Sequence, residues 1–92
     1  LAAAADAPTA AAPVTLEARR LEESGGSPWV ARLRGFRDDG TWRGYIAFED
    51  EVSGVVCRTA PVFREGDPCE LRDRFLDFEA GTLEAFLRSC RA

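Results

Sequence analysis

The chain has 92 residues, with 12 Arg, no Lys, 16 Asp plus Glu and a net charge of −4. That length fits one small domain. The acidic balance argues against a general nucleic-acid binder, because affinity for polyanions comes largely from Lys and Arg neutralising phosphates. No apolar run approaches the roughly 18 residues of a membrane span. The absence of His and Lys removes imidazole bases, Schiff-base lysines and histidine metal ligands.

Residues 1–13, LAAAADAPTAAAP, hold eight Ala, two Pro and one charge. Side chains this small cannot build a core, so the segment reads as a disordered or extended tail and residues 14–92 as a single domain. In the absence of an initiator methionine, Leu1 reads as a product of processing. The tail reads either as what remains of an export or targeting signal or as a linker, which leaves cytoplasmic and exported locations both open. Arginine as the sole basic residue, with abundant Ala and Gly, points to a GC-rich genome.

Residues 14–23, VTLEARRLEE, fit two periods. Val14, Ala18 and Leu21 stand at i, i+4, i+7, while Val14, Leu16 and Ala18 alternate. Composition favours a helix. A break follows from Ser24 to Pro28, whichever state precedes it. The texture then becomes strand-like, with turns at Asp38-Asp39-Gly40 and at residues 50–54. These predict an antiparallel meander with strands over 29–36, 41–49 and 55–63, the third irregular or at an edge near Pro61.

Asp67-Pro68-Cys69-Glu70 places an acceptor at N-cap, proline at N1 and glutamate at N3, so a helix should run over 68–79. Gly81 is expected to end it. Thr82 is expected to cap a second helix, whose Leu83, Phe86, Leu87 and Cys90 form one apolar stripe. The expected fold is α+β: a three-stranded antiparallel sheet, with room for a fourth strand, covered on one face by a C-terminal antiparallel helical hairpin.

Alternation puts Trp29, Ala31, Leu33, Trp42, Ile46, Phe48, Val55, Cys57 and Phe63 on the face toward the helices. The opposite face carries Val30, Arg32, Arg34, Phe36, Arg43, Tyr45, Ala47, Val56, Arg58, Ala60, Val62 and Arg64. A face meant only for water would not combine Val30, Phe36, Val56 and Val62, so something should cover part of it. Residues 14–23 could lie across it or add a strand beside it. Alternatively a partner protein docks there, with Arg32, Arg34, Phe36, Arg43, Tyr45 and Arg58 as anchors. Single-stranded nucleic acid could also stack on such a face.

Charge is uneven. Residues 28–64 hold six Arg against five acids, and residues 65–92 seven acids against four Arg. The acidic helices read as a solvated surface with an i,i+4 pair from Glu70 to Arg74.

Three cysteines without histidine make a poor zinc site, and no imidazole is present to activate a thiolate. Buried structural cysteine is the default, but in an antiparallel helical hairpin Cys69 would lie level with Cys90, so these two are the candidate disulfide. Asp38-Asp39 and Glu49-Asp50-Glu51 fall in or beside turns and match no calcium-loop spacing. No glycine loop for phosphates is present. The expectation is therefore a non-catalytic interaction module or accessory subunit with no metal or cofactor, docking a protein through the arginine and aromatic face while its tail reaches along a neighbour. The alternative is a small autonomous domain, exported or not, that binds an acidic ligand or single-stranded nucleic acid.

Overall fold

A computed structural model describes residues 12–22 and 26–91. The tail expected over residues 1–13 lies outside them up to residue 11, as do residue 23 of the 14–23 segment and residues 24–25 of the expected break. The strands are β1 (Val14–Glu22), β2 (Pro28–Asp38), β3 (Thr41–Asp50), β4 (Val56–Arg58) and β5 (Phe63–Glu65), and the helices are α1 (Pro68–Asp77) and α2 (Ala80–Arg91). The architecture is α+β: one antiparallel sheet in the order β1-β2-β3-β4, with β5 also paired to β3, and two C-terminal helices.

The β2–β3 hairpin follows directly from local chemistry. Asp38 pairs with Thr41, leaving Asp39 at φ 53 and Gly40 at φ 81 as a two-residue turn. Both angles lie in the left-handed region that such a turn requires, and an Asp-Gly pair reaches it at little cost. The turn fixes the register: Ala31 opposite Phe48, Leu33 opposite Ile46 and Arg34 opposite Tyr45. At the other end, the Asp50 carboxylate accepts from the amides of Val52 and Ser53, at 2.8 and 3.2 Å, and holds the turn that leaves β3.

Of residues 14–23, those described, 14–22, are not helical as composition favoured but form the edge strand β1 from Val14 to Glu22. They add a strand beside β2 and do not lie across the sheet. The register slips by one residue between Thr15 and Glu17. Leu16 and Leu21 are five apart and cannot share a face in unbroken alternation; the irregularity lets both reach the core. That break in period is why the two readings competed in the sequence.

The expected third strand divides into β4 and β5 around residues 59–62, with Pro61 in the interruption. Val55 precedes β4 and is 56% exposed, so it does not join the core as expected. The α1 cap is as its sequence reads: the Asp67 side chain accepts from the Glu70 amide at 2.9 Å. The helix nevertheless stops at Asp77. Phe78 turns extended, which sets its ring 5.6 Å from Phe63 and 5.7 Å from Phe86. Burying that ring decides the helix end, so Gly81 and Thr82 lie within the first turn of α2 and are not its stop and cap. The Glu79 carbonyl accepts from the amides of Thr82 and Leu83 instead.

The core is one layer between sheet and helices. Leu33, Ile46, Phe48, Leu71, Phe75, Leu83 and Leu87 are fully buried, and Leu21, Trp29 and Phe63 nearly so. α1 packs on β1, β2, β3 and β5, and α2 on β4 and β1. Gly35 and Gly44 face each other beneath the helices. A side chain at Gly44 would meet the Arg34 carbonyl at 3.3 Å, so glycine there permits the close approach.

Arg19 closes the end of α1. One guanidinium nitrogen donates to the carbonyls of Phe75 and Phe78, at 2.9 and 2.7 Å, and the group lies 5.8 Å from the Phe75 ring centre. Helix C-termini leave carbonyls unpaired and favour a cation, so Arg19 supplies from β1 what the helix lacks. Replacing Arg19 with Met, which keeps the apolar stem, is expected to cost about 1.5–3 kcal/mol, the range for hydrogen bonds to a charged donor. Urea unfolding followed by tryptophan fluorescence measures it; a loss below about 0.5 kcal/mol would assign the cap no weight.

Cys90 lies against Cys57, not Cys69, in a disulfide geometry with Cα atoms 6.1 Å apart. The candidate Cys69–Cys90 bridge is corrected because α2 packs over β4, which turns Cys90 to the sheet, while Cys69 stays exposed as a free thiol. The expected Glu70–Arg74 pair is likewise replaced: Arg74 reaches Glu65 on β5 at 2.6 Å.

Candidate functional site

The sheet face away from the helices has no element of the described chain laid over it. Cross-strand pairing builds it in rows: Arg34 beside Tyr45 and Thr15, Arg32 beside Ala47 and Ala18, and Phe36 beside Arg43, which in turn opposes Arg64. The six residues singled out by alternation therefore share one surface, on β2 (Arg32, Arg34, Phe36), β3 (Arg43, Tyr45) and β4 (Arg58).

They are not equivalent. Arg32 pairs with Glu49 at 2.7 Å. Arg34 donates to the Thr15 hydroxyl at 2.6 Å and to the Pro13 carbonyl at 3.2 Å, which pins the chain where it joins β1. Arg43 donates to the Pro61 carbonyl at 3.1 Å and lies 3.5 Å from Asp38. Its Nε is buried without a hydrogen-bond partner. Exposed ion pairs of this kind contribute about 0–1 kcal/mol each and mainly orient the side chains. Arg58 differs, because its guanidinium stands 5.3 Å from the Tyr45 ring centre with no carboxylate in ion-pair range among the described residues.

Phe36, Tyr45 and Arg58 come together around a groove of about 470 Å³, completed by Pro13, Thr59, Ala60 and Pro61. The Phe36 and Tyr45 rings are tilted with centroids 6.4 Å apart. Tyr45 is only 9% exposed because Phe36 and Arg58 flank it, so it forms the floor and not a projecting anchor. Arg32, Arg34 and Arg43 lie outside the lining. Of the four added residues, Ala60 was already on this face by alternation and Pro61 was marked as the interruption of the third strand; Pro13 and Thr59 had no such signal. A second hollow of about 320 Å³ adjoins across Arg58, Thr59 and Ala60 and reaches Val62, Phe86 and Cys90. The two meet on the β4–β5 connection, with Val56 and Val62 exposed nearby.

The acidic clusters act as structural partners. Arg20 binds Glu51 at 3.0 Å and Glu22 at 3.0 Å. Its pKa is raised, first by the hydrogen bond and then by the charge of Glu51. The amide of Val52 holds the Asp50 carboxyl below its usual range, with further help from the Ser27 hydroxyl, which donates at 2.8 Å. A carboxyl whose pKa is lowered by folding stabilises fully above its unfolded pKa, about 3.9, and that stabilisation is lost as pH falls through the folded value. Chemical denaturation of the parent and of Asp50→Asn should therefore differ by a constant amount from pH 5 to 7 and converge below pH 4. A gap independent of pH would remove the ionised carboxylate from the turn.

Among the described residues, no group of three or more Cys, Asp and Glu could hold a metal ion, and no helix is long and apolar enough to cross a membrane. Comparison with protein-family models, curated proteins and solved structures finds no match.

Proposed function

We propose that this chain is a non-catalytic interaction module, an accessory subunit that docks a partner protein through the open sheet face. The observation that carries the proposal is the groove: two aromatic rings, Pro61 and the Arg58 cation, which has no carboxylate in ion-pair range among the described residues, on a face that no element of the described chain covers, in a chain of net charge −4. Aromatic and arginine side chains around a concave site are the groups that dominate protein interfaces. Single-stranded nucleic acid is less favoured, since Arg32, Arg34 and Arg43 are occupied by acceptors within the chain.

Native mass measurement of the protein purified from its source, with identification of every co-purifying chain, tests this at low and moderate salt. A stoichiometric protein partner persisting at moderate salt is the expected outcome, whereas a nucleic-acid complex would weaken steeply. Arg58→Glu should weaken the complex by about tenfold or more, about 1.4 kcal/mol, while Arg72→Glu on α1 should leave it intact. A monomer in both salts, or equal effects of the two variants, would sink the proposal.

A further inference from the structure

Arg58 is exposed, and its guanidinium lies over the Tyr45 ring at 5.3 Å from the centre. Stacking on an aromatic face occupies the plane of a guanidinium and leaves its rim of N–H donors for a planar acceptor such as a carboxylate. No acceptor among the described residues takes those donors. Arg64, at the far end of the β4–β5 connection, opposes Arg43 and also has no carboxylate in ion-pair range among the described residues. Two such cations thus flank the connection, while residues 65–92 hold the acidic surplus, seven acids against four Arg. Apolar surface follows the same stretch of chain. The groove of about 470 Å³ and the hollow of about 320 Å³ share Arg58, Thr59 and Ala60, and Val62, which lines the second, is 50% exposed.

From this arrangement we infer that the occupant of the groove is an extended acidic segment of a partner protein. One apolar side chain lies over Phe36 and Tyr45, a second against Val62 and Phe86, and a carboxylate sits on Arg58 between them. The inference rests on the groove being a docking site, as proposed above, and names what docks there. Three features select this occupant. A carboxylate supplies the acceptor that the Arg58 fork lacks, and a basic segment would be repelled by Arg58 and Arg64 together. The two hollows meet along Arg58, Thr59 and Ala60, so a compact ligand fills one of them, whereas an extended chain reaches both, as peptides do when successive pockets read their side chains. A nucleic-acid strand carries a charge at every nucleotide and needs a row of free cations, but Arg32, Arg34 and Arg43 already donate within the chain.

The test selects random short peptides, displayed on phage, against the full chain with Cys57 and Cys90 left oxidised. Enrichment of peptides that carry Asp or Glu between two aromatic or aliphatic residues is expected. The enriched peptide, added to ¹⁵N-labelled protein, should shift the Tyr45, Arg58, Thr59 and Val62 amide signals and leave those of Asp73 and Leu76 in place. Arg58→Gln should weaken its binding by about fivefold or more. Arg58→Glu should change the selection itself, replacing the acidic residue by Arg or Lys, a reversal that mere loss of structure would not produce. The inference is overturned by no enrichment, by enrichment without an acidic residue, by an unchanged selection in Arg58→Glu, or by oligothymidylate shifting the same signals at moderate salt. Peptides that lack an acid yet shift the groove signals would reject the acidic occupant and leave the docking face standing, as would a natural partner that Arg58→Glu releases when no peptide is enriched. Shifts confined to the helical side would reject both.

Discussion

Phe75→Ala is expected to cost about 3–5 kcal/mol, the range for deleting a buried aromatic side chain. A domain of this length holds about 5–14 kcal/mol in total, so the variant should be partly or wholly unfolded at 37 °C. Phe75 is fully buried at the point where α1 meets β1 and the centre of the sheet. Its ring lies beside the Arg19 guanidinium and its carbonyl accepts from the same group, so truncation opens a cavity beneath the contact that closes the helix end. Circular dichroism through a thermal ramp measures the loss. A destabilisation under about 1 kcal/mol would mean that α1 is not docked as described.

Reduction of the disulfide carries the second large effect. Cys57 and Cys90 are 33 residues apart. Closing a loop of that size removes unfolded-chain entropy worth about 3–4 kcal/mol on the chain-entropy account. For a domain of this size that corresponds to a melting temperature lower by about 15–30 °C. Calorimetry with and without reductant checks it, and three variants assign it. Cys57→Ser and Cys90→Ser should each lower the melting temperature and abolish the response to reductant, and Cys69→Ser should leave both unchanged. Loss of the response in Cys69→Ser would reject the pairing. The expected effect is large because the bridge ties β4, only three residues long, to the end of α2. That short strand carries Arg58, so reduction should also loosen the wall shared by the two hollows.

The parts of the fold readable from sequence are those set by neighbours in the chain. The Asp39-Gly40 turn and the alternation on either side give the β2–β3 register, and Asp67 gives the start of α1. The parts that were not readable are set by distant partners. β1 is a strand because β2 offers an edge and the core accepts Leu16 and Leu21; no residue near β1 signals the slip that makes this possible. Phe78 ends α1 because Phe63 and Phe86 await its ring, which overrides the glycine signal three residues later. Cys90 meets Cys57 because α2 crosses β4, and spacing along the helices says nothing of that.

The candidate surface divides the same way. Alternation places Arg32, Arg34, Phe36, Arg43, Tyr45 and Arg58 on one face, since period two needs no tertiary information. Which arginines are occupied depends on Glu49, Thr15, Pro13 and Pro61, contributed by other segments. Arg58 is the arginine that lines the groove, while Arg32, Arg34 and Arg43 lie outside its lining.

The order of the strands has a consequence during synthesis. β1 to β4 each pair with a neighbour in sequence, so the loops that bring them together are short, and hairpins form in about 1–10 µs. The ribosome delivers about 5–20 residues per second, so the sheet can assemble long before α1 and α2 emerge, about 1–5 s later. During that interval Trp29, Leu33, Ile46 and Phe48 have no helical cover, because Leu71, Phe75, Leu83 and Leu87 are still to come. The nascent sheet thus meets the cell with its future core facing outward. Its vulnerable period is set by translation speed over the last two dozen codons of the described chain, not by the rate at which the helices dock.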